Sequence, residues 1–72
     1  MQQVEFTLTR DHIALCDLLK LTGVADSGGQ GKIMVANGDV TVDGKSESRK
    51  TAKIIAGQVV ECLGVRILVK AA

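Results

Sequence analysis

Residues 27–45 read SGGQGKIMVANGDVTVDGK, and this stretch predicts a helix followed directly by a β-hairpin. Ser27 and Gln30 have the spacing of a capping box, in which a serine and a glutamine each bind a backbone amide at the start of a helix. The helix should run from about Gly28 to Ala36 and end at Asn37-Gly38.

The hairpin is indicated by alternating apolar residues and by its turn. Val40 and Val42 would share one face of a strand, and Asp43-Gly44 is a strong signal for a two-residue turn. The returning strand carries Lys45 and Glu47. The centre of the chain therefore predicts the order helix, strand, turn, strand.

A first helix is expected on the N-terminal side of this stretch. Thr9 or Asp11 can cap it, it should continue to about Leu21, and Gly23 should stop it. Its apolar residues form two possible buried stripes: Ile13, Cys16 and Leu19, or Leu15 and Leu18. We expect this helix to be mostly a core element that lies beside the second helix.

Strands are predicted at both ends of the chain. A short first strand shows alternation, with three apolar side chains on one face: Val4, Phe6 and Leu8. After a turn at 56–58, residues 59–62 and 65–69 form a second hairpin about Leu63-Gly64, which places Glu61 opposite Arg66. The predicted fold class is α+β, with two short helices packed on one face of a small, mostly antiparallel sheet.

Length and composition limit the classes of protein. A chain of 72 residues makes one domain, residues 1–72, and a domain this small buries only about 60% of its unfolded surface, which disfavours a deep catalytic cleft. No apolar run approaches the ~18 residues of a membrane span. The first residues show no basic region followed by an apolar stretch, so we expect a cytoplasmic protein without a secretory signal.

The residues that could carry catalysis or bind metal are few. Cys16 and Cys62 sit among apolar neighbours and are interpreted as small core residues; a disulfide is the alternative, but Cys-x-x-Cys spacing is absent. His12 is the only histidine and has no evident nucleophile partner. Gly31-Lys32 is not followed by Ser or Thr, as a nucleotide-binding phosphate loop requires. We therefore predict no enzyme activity, no metal and no cofactor.

Charge is unevenly distributed along the chain. Residues 1–29 hold two basic and four acidic residues, whereas residues 30–53 hold five basic and three acidic ones. Gly28 and Gly29 would leave the free amides of the second helix open to a phosphate, with Lys32 one turn further in. Two plainer explanations stay open: the glycines only make a tight turn between helices, and the lysines only protect an exposed strand.

The order of these motifs resembles the S-four RNA-binding domain, named for small-subunit ribosomal protein four. The resemblance covers residues 13–69. A narrower resemblance, to stand-alone bacterial proteins of the YbcJ/YaaA type, rests on six motifs: Leu18-Leu19-Lys20, Gly23, Ser27-Gly28-Gly29-Gln30-x-Lys32, Val40-x-Val42-Asp43-Gly44, Arg49-Lys50-x-x-Lys53 and Gly57-Gln58-x-Val60. The family implies RNA binding by the two helices and the hairpin, without catalysis.

The resemblance and the charge pattern together give a set of candidate RNA-binding residues. They comprise the start of the second helix and the basic residues of the hairpin: Ser27, Gly28, Gly29, Gln30, Lys32, Lys45, Arg49, Lys50 and Lys53. Phe6 is the only aromatic residue, so base stacking is disfavoured and structured RNA is expected, with ribosomal or transfer RNA as the partner that the family implies. We expect a monomer that binds no membrane and no small-molecule substrate. A small protein-interaction adaptor is the alternative.

Three positions depart from the family pattern. Gly28 stands where typical members have an arginine, and Ala14 stands where they often have a basic residue. Gly31 stands where the narrower group has alanine, a change expected to cost a helix about 1 kcal/mol. Two usual phosphate contacts are therefore missing.

Overall fold

The computed structural model describes residues 2–72, which form seven strands and two helices. In chain order they are β1 (Gln2–Leu8), β2 (Ile13–Ala14), α1 (Leu15–Leu21), α2 (Gly28–Ala36), β3 (Val40–Val42), β4 (Lys45–Ser46), β5 (Lys53–Ile54), β6 (Val59–Cys62) and β7 (Val65–Ala71). Five strands form a sheet in the order β1-β7-β6-β3-β4, and β2 pairs with β5 in a separate two-stranded sheet. The fold class is α+β, as predicted.

Both predicted hairpins are present, and their turns have the expected chemistry. Asp43 and Gly44 have φ angles of 52° and 82°, and Leu63 and Gly64 have φ angles of 49° and 81°. Two successive positive φ angles define the type I′ turn, whose twist matches that of paired strands. Asp43-Gly44 joins β3 to β4, and Leu63-Gly64 joins β6 to β7.

The pairing of β1 with β7 is parallel and was not predicted. Gln2 lies opposite Val65 and Leu8 lies opposite Ala71, so the two strands pair along their whole length. β7 is consequently an inner strand of the sheet, with β1 on one side and β6 on the other. The other pairings in the five-stranded sheet are antiparallel.

The prediction that Thr9 or Asp11 caps the first helix is wrong. α1 begins at Leu15, and Ala14 precedes it in an extended conformation without a side-chain cap. Residues 13–14 pair with β5 instead, where Ile13 lies opposite Ile54. An extended β2 is incompatible with a helix that starts at residue 9 or 11.

The C-terminal ends of both helices agree with the prediction. Thr22 caps α1, and its hydroxyl donates to the carbonyl oxygen of Leu18 at 2.8 Å. Gly23 follows with a φ of 81°, a left-handed conformation that terminates a helix. Asn37 caps α2, and Gly38 has the same φ of 81°.

The core lies between the helices and the sheet. Its most fully buried side chains come from both helices and from both sheets: Ile13, Leu15, Leu18, Leu19, Val35, Val40, Ile54, Val60 and Ile67. Cys16 and Cys62 are buried and unbonded to each other, which confirms their interpretation as core residues. Burial raises the pKa of the Cys62 thiol, and the charge of Asp39 adds to this effect. Neither helix within residues 2–72 has the length and apolar character needed to cross a membrane.

Candidate functional site

Ser27 begins α2 with the hydrogen bond that the sequence predicts. The Ser27 Oγ accepts from the backbone amide of Gln30 at 3.1 Å. The Gln30 Oε1 accepts from the amide of Asp26 at 2.8 Å, rather than from Ser27 as in a standard capping box. The side chain of Gln30 therefore anchors the residue just before the cap.

Gly28 and Gly29 leave the start of α2 open. A Cβ placed on Gly28 would have no heavy atom within 4 Å, and one on Gly29 would have only the Ser27 Oγ, at 3.8 Å. Within the described residues, the amides of these two glycines donate to no protein acceptor. No acidic residue lies in the first turn of α2, so its positive dipole end is not neutralised there.

Gly31 has a different role, because it faces α1. A Cβ at Gly31 would lie 2.8 Å from the carbonyl oxygen of Cys16 and 3.3 Å from its Cα. The helices approach too closely at this point for any side chain. The sequence indicated only the cost of Gly31 to helix stability, whereas the structure adds a packing role: glycine here permits the close contact between α1 and α2.

The basic segment, which we define as residues 47–53, is attached to the start of α1. The amide of Leu15 donates to the carbonyl oxygen of Ala52 at 2.9 Å, and the amide of Cys16 donates to that of Lys50 at 3.0 Å. Lys53 lies opposite Ala14 in the β2–β5 pair. These bonds satisfy amides that a side-chain cap would otherwise bind.

Cys16 joins the two parts of the candidate site. Its amide binds the backbone of Lys50, and its carbonyl oxygen lies against Gly31. The start of α2 and the basic segment therefore flank the same turn of α1. Lys32 directly follows Gly31 in the chain and is exposed.

Lys45 occupies a different position from the other candidate cations. It lies on β4, an edge strand of two residues, opposite Val42. No contact that we observe ties its side chain to α2 or to the basic segment. In the part of the chain that the structure describes, five exposed lysines pair with no carboxylate. One is Lys20 on α1, and the other four are candidate residues: Lys32, Lys45, Lys50 and Lys53.

The side chain of Asp43 stabilises the turn directly before Lys45. One carboxylate oxygen of Asp43 accepts from the amide of Val59 at 2.9 Å, and the other accepts from the Gln58 Nε2 at 3.3 Å. Gln58 in turn accepts from the amide of Ile55 at 2.9 Å. The sequence indicated only a turn residue at Asp43, whereas the structure adds a link between two separate turns.

Arg49 is paired with Glu47, a contact that the sequence analysis missed. The Arg49 Nε and Nη2 donate to the two carboxylate oxygens of Glu47, each at 3.2 Å, and the Arg49 amide donates to Oε2 at 3.0 Å. These hydrogen bonds lower the pKa of Glu47 and raise that of Arg49. The sequence signal for this pair is the Glu-x-Arg spacing. Because these residues lie in an irregular segment, no helix or strand periodicity indicates which side chains contact each other.

Two other cations are paired away from the candidate site. Arg66 lies opposite Glu61, as predicted, with 3.9 Å between Nη2 and the carboxylate. Lys70 does not lie at a frayed end, because β7 continues to Ala71 and the Lys70 Nζ lies 2.7 Å from the Glu5 carboxylate.

Comparison with known proteins identifies relatives along most of the chain. It is 53% identical over 60 residues to "Putative RNA-binding protein YbcJ" of Escherichia coli (strain K12), and equally to "Uncharacterized protein YbcJ" of Shigella flexneri; the match covers 83% of this chain and 86% of each relative. The solution structure of E. coli YbcJ, described as revealing an alfaL motif involved in RNA-binding, superposes with a TM-score of 0.69. Its sequence identity is 46%, covering 94% of this chain and 90% of that one. Residues 6–70 match the family model described as S4 domain, the S-four domain noted above, and the chain therefore belongs to the S4 domain family.

Proposed function

We propose that this protein is a non-catalytic RNA-binding protein that contacts structured RNA, ribosomal or transfer RNA, through phosphates. Membership of the S4 domain family supports this function, as do relatives whose names and structure refer to RNA binding. The whole of residues 1–72 would act as one domain. The proposed contacts are the candidate residues of the sequence analysis: Ser27, Gly28, Gly29, Gln30, Lys32, Lys45, Arg49, Lys50 and Lys53.

The observation that carries the proposal is the position of Cys16 between two cationic parts of the surface. The bond from its amide to Lys50 and its contact with Gly31 hold the basic segment and the start of α2 side by side. Free amides at a helix start bind phosphate oxygens, and unpaired lysines release counterions when they neutralise phosphates. A nucleic-acid backbone presents phosphates at regular spacing and fits such a surface.

The class of RNA follows from the side chains available. Phe6 is partly buried and packs against the core, so it offers no ring for base stacking. Proteins that read single-stranded bases depend on such rings, whereas double-stranded RNA is recognised by shape, phosphates and 2′-hydroxyls. We therefore propose that the protein reads the backbone of folded RNA and tolerates changes of base sequence.

Salt dependence of RNA binding tests the proposal. Affinity for a transfer RNA transcript, measured by fluorescence anisotropy between about 50 and 200 mM salt, should fall steeply. With about four to six phosphates neutralised, the slope of log affinity against log salt should be roughly −3 to −5. A ribosomal RNA hairpin with a permuted base-paired sequence should give a similar slope. A flat response on both RNAs would overturn the proposal and favour a protein-interaction adaptor.

A further inference from the structure

Glu47 and Arg49 form the most extensively bonded side-chain pair that we find in residues 2–72. Three donors of Arg49 reach one carboxylate: the backbone amide at 3.0 Å, and the Nε and Nη2 at 3.2 Å each. Two of these bonds form the parallel fork in which a guanidinium binds a carboxylate or a phosphate most specifically. The orientation of the guanidinium is therefore fixed before any ligand arrives.

The two partners differ sharply in exposure. The side chain of Glu47 is 19% exposed, whereas that of Arg49 is 77% exposed. A guanidinium has five N–H groups, and Glu47 occupies one on Nε and one on Nη2. Three remain, two on Nη1 and one on Nη2. Because the group is planar, they point away from the carboxylate, and they can bind a second anion.

The backbone on both sides of this pair is also fixed. The Glu47 amide donates to the carbonyl oxygen of Val40 at 3.1 Å, which ties the pair to β3. The carbonyl oxygen of Arg49 accepts from Ala52 at 3.1 Å, and that of Lys50 accepts from Cys16 at 3.0 Å. The backbone of Glu47 is therefore fixed, and its carboxylate holds the Arg49 guanidinium in place.

We propose that Glu47 is a positioning residue for RNA binding: it holds the Arg49 guanidinium so that its free Nη1–Nη2 edge faces a phosphate of the RNA backbone. This role rests on the RNA-binding function proposed above. It differs from the role expected of an acidic residue on such a surface, which is to weaken RNA binding through its charge.

Two opposing effects determine the outcome, and they differ in their response to salt. The Glu47 charge repels a phosphate bound on the far edge of the guanidinium, and this repulsion between exposed charges weakens as salt is raised. Ordering the long Arg49 side chain costs conformational entropy, and this cost does not depend on salt. Glu47 reduces the cost of RNA binding because it orders the side chain beforehand. Positioning should therefore exceed repulsion at physiological salt.

Removing the carboxylate tests this role. At about 150 mM salt, Glu47→Ala should bind a transfer RNA transcript roughly twofold to tenfold more weakly, the range for releasing one immobilised side chain, although its net charge becomes more positive. Glu47→Gln keeps an acceptor and should bind with intermediate affinity. Glu61→Ala is the matched control, because it also frees an arginine, Arg66, from its carboxylate; its RNA affinity should stay unchanged or rise.

A double-mutant cycle separates positioning from a general effect on the loop. In an Arg49→Ala background, the further change Glu47→Ala should not weaken RNA binding. A loss that persists there would mean that Glu47 acts through the loop and not through Arg49, and would overturn the proposal. The Nε–H resonance of Arg49 gives a readout on the free protein. It should be protected from exchange in the unaltered protein and lose that protection in Glu47→Ala.

The two proposals fail in different ways. If the unaltered protein binds RNA with the expected salt slope but Glu47→Ala binds equally well or more tightly, the positioning role is wrong and the RNA-binding function stands. If the unaltered protein shows no salt-dependent RNA binding, the proposed function is wrong and the role of Glu47 falls with it.

Discussion

The Cβ that Gly31 lacks would lie 2.8 Å from the backbone carbonyl oxygen of Cys16. Alanine is favoured over glycine inside a helix by about 1 kcal/mol, so helix propensity alone predicts that Gly31→Ala stabilises the protein. The obstructing atoms belong to backbone and cannot rotate away, and overpacking of this kind costs about 1 to 3 kcal/mol. Net of the gain in helix propensity, we expect Gly31→Ala to lower the free energy of unfolding, measured in urea, by up to about 2 kcal/mol.

Gly29→Ala provides the matched control for this substitution. Its Cβ would meet only the Ser27 Oγ, at an ordinary contact distance of 3.8 Å, so stability should be unchanged or slightly higher. A Gly31→Ala variant about 1 kcal/mol more stable than the unaltered protein, which is the full gain in helix propensity, would show that α1 and α2 can move apart without cost.

Charge reversal in the basic segment should weaken RNA binding strongly. The double change Arg49→Glu with Lys53→Glu removes two phosphate contacts and adds two repulsions. At low salt, affinity for a transfer RNA transcript should therefore fall at least about thirtyfold. Fluorescence anisotropy gives the affinity, and far-ultraviolet circular dichroism establishes that the variant is folded.

The control for charge reversal is the double change Arg66→Glu with Lys70→Glu. It alters net charge equally, but it lies on β7, where both cations are already paired with carboxylates. The change replaces two exposed ion pairs by two exposed like-charge pairs, each costing about 1 kcal/mol or less, so this variant should fold and lose much less affinity. Equal losses in the two double variants would place the RNA-binding surface elsewhere.

An arginine at residue 28 should increase RNA affinity. Gly28→Arg places a cation beside the free amides of α2 at a position where a Cβ meets no heavy atom within 4 Å, so folding should be retained. One added phosphate contact should make the salt slope more negative by up to about 1. Gly28→Gln, of similar length without charge, should leave the slope unchanged. Weaker binding by Gly28→Arg would indicate that the phosphate needs bare backbone at this turn.

The Glu47 carboxylate should remain ionised to lower pH than an ordinary glutamate. The hydrogen bonds from Arg49 hold its pKa below the usual 4.5. Because the folded pKa is the lower one, the stabilisation is complete above the unfolded value and is lost as pH falls through the folded value. A carbon-detected NMR titration should give a midpoint below 4.5, and Arg49→Gln should raise it. An identical midpoint in both proteins would mean that the pair does not persist in solution.

Sequence predicts most reliably those elements whose signals are local. Ser27 and Asn37-Gly38 mark both ends of α2, and Asp43-Gly44 marks a turn, because each acts on backbone within a few residues of itself. The start of α1 was mispredicted for the opposite reason. Thr9 and Asp11 resemble caps, but the amides of α1 are bound by carbonyl oxygens of a segment more than thirty residues away.

The same distinction applies to the candidate site: some of its features could be predicted from the sequence, and others could not. Its residue types and approximate position followed from charge, glycine pattern and family resemblance. Its arrangement did not, because two contacts establish it: Gly31 against Cys16, and Glu47 with Arg49. The first depends on how closely two helices pack, and the second on the path of an irregular segment. Neither contact produces a periodic pattern of residues in the sequence.

The inner position of β7 has a consequence for how the chain folds during its synthesis. Gln2 and Val65, 63 positions apart, pair in the register of β1 with β7, and β6 also needs β7 as its neighbour. A nascent chain that has reached residue 62 therefore holds both helices and the first hairpin, but it leaves β1 without a partner. We expect the five-stranded sheet to form completely only after β7 has been translated. A chain stopped before Val65 should therefore stay incompletely folded and prone to aggregation.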